Sequence, residues 1–394
     1  MDVLLRTGTS GMDIGPKIYI ITGETSGEYH AGMLLSALKS IEPALQARGW
    51  GGDSLTSAGM EIDIRYESAN FMGFVEVLRN LPQILNLFRV TKKSIIQYKP
   101  DFLLLVDYPG FNLRMAKWAH SHNIPVIYFI APQVWAWKES RVNLLKQYVK
   151  KLFVILPFEL EYFRKYHIDT SYHGHPLLEK IIHFHSTHDF RENWKLDQRS
   201  IIALLPGSRK QEIQTMLPDY LKAVRHETKY QVVIAGMKRH QSVYEKLIME
   251  HCPDAMMVYD DMYSLLKHAE VAIVTSGTAS LEAALFEVPM VVCYKGNFIS
   301  YQIAKRLVKI KYIALANLIF DQKIIEELIQ QDCNPGKIHE EITRLLIPEN
   351  RRAAKKQLQG LRKLLFEQNC YKKIAEDMTA FMHTYLNTSN GSDR

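Results

Sequence analysis

Cysteine is scarce in this chain and follows no pattern. Its four residues, Cys252, Cys293, Cys333 and Cys370, include no CxxC pair, so there is neither a disulfide framework nor a thiolate zinc site, and a reducing compartment is expected. No run approaches the roughly 18 apolar residues that would span a bilayer. The first 15 residues contain neither a basic start nor an apolar stretch of roughly 7 residues, so no secretory leader is expected. These absences point to a cytoplasmic protein, attached at most to a membrane face. Low-complexity tracts are missing too.

What is present is an ordinary globular composition, 47% hydrophobic and 23% charged over 394 residues, with a formal charge of +7. That length exceeds what one core usually serves, so two domains are expected. The positive balance suits an anionic partner, whether a phosphorylated substrate, nucleic acid or a lipid headgroup surface, and charge alone does not choose among them.

From Lys17 onward, short apolar runs alternate with longer helical periodicity, the signature of βαβ units and a parallel sheet. The strand candidates of the first half are Ile18 to Thr22, Phe102 to Asp107, Val126 to Ala131 and Leu152 to Leu156. Those of the second are Ile201 to Leu205, Gln231 to Ala235, Met256 to Tyr259, Val271 to Val274 and Met290 to Tyr294. The polar stretch from His173 to Gln198 interrupts the rhythm. The expected division is therefore a flexible extension over 1–16, a first Rossmann-like domain over 17–185 and a second over 186–394. The charged helices after Pro348 suit packing back on the first domain or exchange with a second copy, a homodimer.

Val274-Thr-Ser-Gly-Thr-Ala-Ser-Leu-Glu282 places a strand end, a small-residue turn and a helix start in succession. Such a turn aligns backbone N–H groups and the positive end of a helix dipole, as a pyrophosphate requires. Ser276, Gly277 and Thr278 let the anion approach, and Glu282, at i+4 from Thr278, faces the same way to accept ribose hydroxyls. Ile201-Ile-Ala-Leu-Leu-Pro-Gly-Ser-Arg209 is a second loop of this kind, ending in a guanidinium suited to phosphate oxygens. Each loop alone equally fits a capped helix or a solvated surface turn. Two of them at the carboxyl ends of neighbouring strands favour a ligand site.

In the first half, Gly23-Glu-Thr-Ser-Gly-Glu28 opens a helix directly after the first strand. Gly23 and Gly27 permit the tight turn, Thr25 or Ser26 can cap, and Glu24 is a carboxylate set in a tight loop. Phe102-Leu-Leu-Leu-Val106 delivers Asp107 to a sheet rim just before Tyr108-Pro109-Gly110, where a general base for a sugar hydroxyl could be held rigidly. Gln133-Val-Trp-Ala-Trp-Lys-Glu-Ser-Arg141 sets Trp135 beside Lys138 and Arg141, a combination able to stack on a sugar and hold a phosphate. Its plainer reading is packing with snorkelling tips. His173, His175, His183, His185 and His188 come without acidic or cysteine ligands at site-like spacing, so no metal site is expected.

Phe74, Val77, Leu78, Leu81, Ile84, Leu85 and Phe88 recur at helical spacing ahead of Arg89, Lys92 and Lys93. Such a stripe faces either its own core or a lipid surface whose phosphates meet the cations. A second basic apolar stretch runs from Phe298 to Tyr312. Two α/β domains facing across a cleft, with the nucleotide on the second, describe the GT-B architecture, shared by glycosyltransferases and sugar-nucleotide epimerases.

The motifs Gly23-Glu-Thr-Ser-Gly27, Met72-Gly-Phe-Val-Glu-Val77, Val106-Asp-Tyr-Pro-Gly-Phe-Asn112, Val134-Trp-Ala-Trp137, Leu205-Pro-Gly-Ser-Arg209, Ser276-Gly-Thr-Ala-Ser-Leu-Glu282, Ala304-Lys-Arg-Leu-Val308 and Asn317-Leu318 together resemble the lipid-A-disaccharide synthases. The resemblance runs from Ile18 to about Cys333. It implies a GT-B fold and an inverting transfer from UDP-2,3-diacylglucosamine to the 6-hydroxyl of 2,3-diacylglucosamine 1-phosphate (lipid X), releasing UDP. No metal, cofactor or nucleic acid is implied, and peripheral attachment to the cytoplasmic face of the inner membrane is. Asp107 is then the base and Glu24 a neighbour of the reacting sugars, with Arg209, Ser276, Thr278, Glu282 and Asn317 at the UDP-sugar. Some members carry a second Asp where this chain has Gly110. An epimerase of the same fold, or a membrane-surface UDP-sugar binder without catalysis, are the rival readings.

Overall fold

The computed structural model describes residues 15–66, 81–137, 139–185, 190–296 and 311–391. It divides into two compact units, one comprising Met1–Pro176 with Asn369–Arg394 and the other Leu177–Gln368.

The first unit is built on a parallel sheet of seven strands: β1 Lys17–Thr22, β2 Gln46–Gly51, β3 Glu61–Arg65, β4 Phe102–Val106, β5 Val126–Phe129, β6 Lys151–Val154 and β7 Thr170–Tyr172. Their order across the sheet is β3-β2-β1-β4-β5-β6-β7. Alternate residues of one strand serve two cores: Ile18 and Ile20 of β1 join one apolar cluster, Tyr19 and Ile21 the other. A parallel sheet covered on both faces demands such a run of apolar residues, which is why the sequence of β4 is apolar throughout.

The second unit repeats the plan with six strands: β8 Ser200–Leu205, β9 Tyr230–Gly236, β10 Met256–Tyr259, β11 Ala269–Thr275, β12 Met290–Tyr294 and β13 Glu326–Ile329. Their order is β10-β9-β8-β11-β12-β13. Ile201, Ala203 and Leu205 of β8 face one core, Ile202 and Leu204 the other.

The division between units falls at Pro176, earlier than the boundary expected after residue 185. Leu177, Leu178 and Ile181 are already buried in the core of the second unit, which fixes that boundary physically. The last helix, Cys370–Gly391, belongs to the first unit. Its Ile374, Ala375, Met378 and Met382 share a core with β1 and β4. Polar ties flank that seam: His30 Nδ1 meets the Tyr371 hydroxyl at 2.6 Å, and Asp377 pairs with His173 at 2.8 Å and Lys151 at 3.3 Å.

Each sheet has one place where successive connections leave in opposite directions. In the first it lies between β1 and β4, in the second between β8 and β11. Open α/β sheets form their ligand crevices at the carboxyl ends of the strands at this switch point. Four of the five loops singled out from the sequence leave these four strands, and the fifth, Gln133–Arg141, follows β5.

Candidate functional site

In the first unit, Thr22 and Val106 are register partners, so the loops beginning at Gly23 and Asp107 leave the sheet side by side. A Cβ on Gly23 would stand 2.4 Å from the Tyr108 ring, and one on Gly27 would stand 2.9 Å from Thr22 Oγ1. Both positions therefore exclude any larger side chain without local rearrangement. Ser26 is exposed, while Gly27 is buried. Glu24 is the N-cap of the helix Thr25–Ile41, yet its side chain makes no capping hydrogen bond. Its carboxylate instead acts electrostatically on Asp107.

Asp107 and Tyr108 both adopt left-handed backbone, with φ of 47° and 49°. For Tyr108 this is an uncommon conformation, of order 1–3 kcal/mol, that persists only where the surroundings enforce it. The enforcing contacts converge on the Asp107 carbonyl: Asn112 Nδ2 donates to it at 2.7 Å and the Tyr128 hydroxyl at 2.6 Å. Asn112 and Tyr128 are fully buried. Pro109 then starts the next helix, a position where its missing N–H costs nothing. Burial raises the Asp107 carboxyl to about 7, the neighbouring Glu24 charge adds to that, and a backbone N–H at Tyr108 opposes it. A carboxyl poised near neutrality at a sheet rim is suited to moving a proton.

Trp135 is tied inward. Its indole N–H donates to Glu159 Oε1 at 2.9 Å, and its ring stands edge-on to Phe158 at 4.9 Å. Glu159 is buried, also accepts from the backbone of Leu156 at 3.1 Å, and is pushed up to about 7 by burial. The polar edge of Trp135 thus anchors the loop, and the residue itself is half-buried. Arg141 is half-buried, and burial lowers its pKa. Lys138 lies outside the described residues.

Of the expected membrane stripe, Phe74, Val77 and Leu78 lie outside the described residues, and of Leu81 only the backbone is described. The helix Leu81–Tyr98 presents Leu85, 59% exposed, and Ile96, 55% exposed, to solvent. Ile84 is half-buried. Phe88 is half-buried, stacks on Phe111 at 4.0 Å and packs on the core. Helical spacing identifies an apolar face without saying what covers it.

In the second unit, Gly207 has φ 101°, and a Cβ there would meet Glu212 Oε2 at 2.4 Å. Glu212 accepts from the backbone N–H of Ser208 at 3.1 Å and of Arg209 at 3.3 Å, so a carboxylate already meets this helix start. Arg209 keeps its side chain 59% exposed and 3.4 Å from Glu212. The loop after β11 differs. Gly277 is the N-cap of the helix Thr278–Leu285, with no side-chain cap and open space where a Cβ would stand. Gly277 and Thr278 are exposed, leaving the first amides of this helix and its dipole accessible to an anion. Ser276 donates a long hydrogen bond, 3.4 Å, to the Ile313 carbonyl. Glu282 lies one turn in and accepts from the Tyr263 hydroxyl at 2.6 Å.

Asn317 is placed differently from the expectation that it touches the UDP-sugar. It is fully buried, and its amide is saturated. Nδ2 donates to the Ile325 carbonyl and Glu327 Oε1 at 2.9 and 2.7 Å, while Oδ1 accepts from the Ile324 and Ile325 amides at 2.8 and 2.9 Å. Glu327 also accepts from the Ile313 and Ala314 amides at 2.9 and 3.0 Å. Asn317 and Glu327 thus brace the segment that the Ser276 hydroxyl touches. Sequence reasoning missed Glu327 and Tyr263, whose roles exist only in tertiary contacts, and Glu212, whose local bonds to the Ser208 and Arg209 amides its spacing from them could have signalled.

Among the described residues no three or more His, Cys, Asp or Glu side chains are grouped as a metal site, and no helix is long and apolar enough to cross a membrane.

Two parallel-sheet units, each with chemically equipped loops at its switch point, define an α/β protein of the GT-B class. Solved structures agree on the fold. The UDP-GlcNAc 2-epimerase from Neisseria meningitidis bound to UDP-GlcNAc superposes with a TM-score of 0.59 at 12% identity, covering 94% of this chain and 100% of that one. The calicheamicin glycosyltransferase CalG4 gives 0.62 at 14%, covering 94% and 98%. Closer kinship comes from sequence. The family model described as lipid-A-disaccharide synthetase matches residues 18–381. The lipid-A-disaccharide synthase of Acidobacterium capsulatum is 35% identical over 366 residues, covering 89% of this chain and 91% of the relative. That of Syntrophus aciditrophicus is 35% identical over 353 residues, covering 88% and 92%. The chain belongs to the lipid-A-disaccharide synthase family.

Proposed function

We propose that the protein is an inverting glycosyltransferase that joins UDP-2,3-diacylglucosamine to 2,3-diacylglucosamine 1-phosphate, forming the β-1,6-linked disaccharide 1-phosphate and UDP. Family membership over nearly the whole chain supports the reaction. The observation that carries the chemistry is Asp107, a near-neutral carboxyl on a braced, left-handed turn beside Glu24. In this reading Asp107 takes the proton of the acceptor 6-hydroxyl as that oxygen attacks the anomeric carbon from the face opposite UDP. The amides at Gly277 and Thr278 and the Arg209 guanidinium meet the charge that grows on the departing diphosphate. Glu282 accepts from the ribose.

The acylated substrates require access to a lipid surface. Leu85, Val90 and Ile96 on the helix Leu81–Tyr98, with exposed Arg89 and Lys93, support peripheral attachment to an anionic face. An epimerase needs no such surface, and the epimerase likeness lies at identities that speak for fold alone. Incubating the purified protein with both acylated sugars tests the proposal. Equal amounts of disaccharide 1-phosphate and UDP are expected, and a UDP-sugar epimer in their place would overturn it.

A further inference from the structure

Glu282 owes its orientation to a residue from another element. Tyr263, in the first turn of the helix Met262–His268, donates its hydroxyl to Glu282 Oε1 at 2.6 Å. The Tyr263 ring is held on two sides, by Phe184 edge-on at 5.2 Å and 87°, and by Phe286 at 5.1 Å and 63°. Lys180 Nζ stands 5.0 Å from the ring centroid. Phe184 comes from the histidine-bearing stretch that none of the family motifs covers. A ring clamped by two aromatic neighbours keeps its hydroxyl in one place, so the carboxylate adjusts to the phenol. Oε2 is left without a hydrogen-bond partner among the described residues.

We propose that Tyr263 is a positioning residue for ribose recognition: by engaging one oxygen of Glu282 it presents the other to a ribose hydroxyl of UDP, and so sets the preference for a ribonucleoside diphosphate over its deoxy counterparts. This rests on the reading of Glu282 as the ribose contact. The ionisation of Glu282 fits the role. Burial pushes its carboxyl up, while the Tyr263 hydroxyl and the Lys180 charge pull it down, favouring the acceptor form. Phe184 and Phe286 supply the rigidity, which gives the unexplained stretch a task.

The test is calorimetric titration of the full chain with UDP, 2′-deoxy-UDP and 3′-deoxy-UDP, using the wild type, Tyr263→Phe and Glu282→Gln. Phenylalanine keeps the clamped ring and removes only the hydroxyl. The wild type is expected to prefer UDP to at least one deoxy analogue. Tyr263→Phe should cut that preference by about three- to tenfold, the net value of one ordinary hydrogen bond, and leave affinity for the deoxy analogue within about twofold. Its UDP affinity should also begin to fall at a higher pH on acidification, because the carboxylate has lost a donor. Equal weakening of UDP and the deoxy analogues, with no change in pH dependence, would overturn the proposal by reducing Tyr263 to a packing residue. If Tyr263→Phe keeps the full preference while Glu282→Gln abolishes it, Tyr263 has no positioning role, although Glu282 still contacts the ribose. If Glu282→Gln also keeps it, the ribose reading is wrong and the proposal falls with it.

Discussion

Replacing Glu24 by Gln removes one negative charge beside Asp107 at nearly constant side-chain size. The Asp107 carboxyl stands at about 7, raised first by burial and next by Glu24. A general base works in its ionised form, so the rate should fall as pH drops through about 7. One pH unit lower, only about a tenth of the molecules hold the ionised base. Removing a like charge beside a partly exposed carboxyl is worth about 1 kcal/mol once the effective dielectric and salt screening are allowed for. Glu24→Gln should therefore shift the acid limb downward, so that at pH 6 the variant runs at about three- to sixfold more of its own high-pH plateau than the wild type does. The assay is the initial rate of UDP release with both acylated sugars between pH 5.5 and 8.5. Glu24 also lies near the reacting groups, so the position of the limb decides the matter and the plateau height does not. A limb that stays in place, or moves to higher pH, would refute the electrostatic coupling.

Asp107→Asn should abolish turnover while leaving UDP affinity intact, and it should also stabilise the fold. The folded state holds the Asp107 proton between about pH 4 and 7, where the unfolded chain has released it, so stability drops as pH rises through that window. Removing the charge should return roughly 1–2 kcal/mol at pH 8 after allowance for partial exposure, read as a Tm higher by a few degrees; an unchanged Tm would argue against strained burial. Asn112→Ala withdraws the amide from the Asp107 carbonyl, and kcat should fall about 10- to 100-fold with UDP affinity unchanged, whereas an unaffected kcat would show that the turn holds without it. Asn317→Ala leaves the Ile324 and Ile325 amides unpaired in the interior and should lower stability by about 2–4 kcal/mol in denaturant titration; loss of UDP affinity without loss of stability would restore Asn317 to the ligand.

The central strands were legible because burial on both faces forces near-continuous apolar runs, as in Phe102–Val106 and Ile201–Leu205. Gln46–Gly51, Glu61–Arg65, Thr170–Tyr172 and Glu326–Ile329 were not. Glu61–Arg65, Thr170–Tyr172 and Glu326–Ile329 are edge strands, where one missing neighbour lets polar residues serve, and Thr170–Tyr172 is too short to show a pattern; Gln46–Gly51 is paired on both sides, but Gln46, Arg48 and two glycines break its apolar run. The acids and small-residue turns at strand ends could be read because chain order alone places them at the carboxyl rim. What covers an apolar face, or where an amide points, depends on partners far away in sequence. Asn317 was drawn toward the ligand by residue type, and its amide is spent on internal contacts; the internal contacts of Phe88 and Trp135 were equally invisible in the sequence. Tyr263 carried no signal at all, since its link to Glu282 exists only once the second sheet has formed.

The proposed transfer requires a diphosphate held at the amides after β11, with ribose on Glu282. A crystal structure of the protein with bound UDP measures this directly. Phosphate oxygens are expected within hydrogen-bond distance of the Gly277 and Thr278 amides, with a ribose hydroxyl on Glu282. UDP bound away from that helix start, with Glu282 contacting only Tyr263, would contradict it.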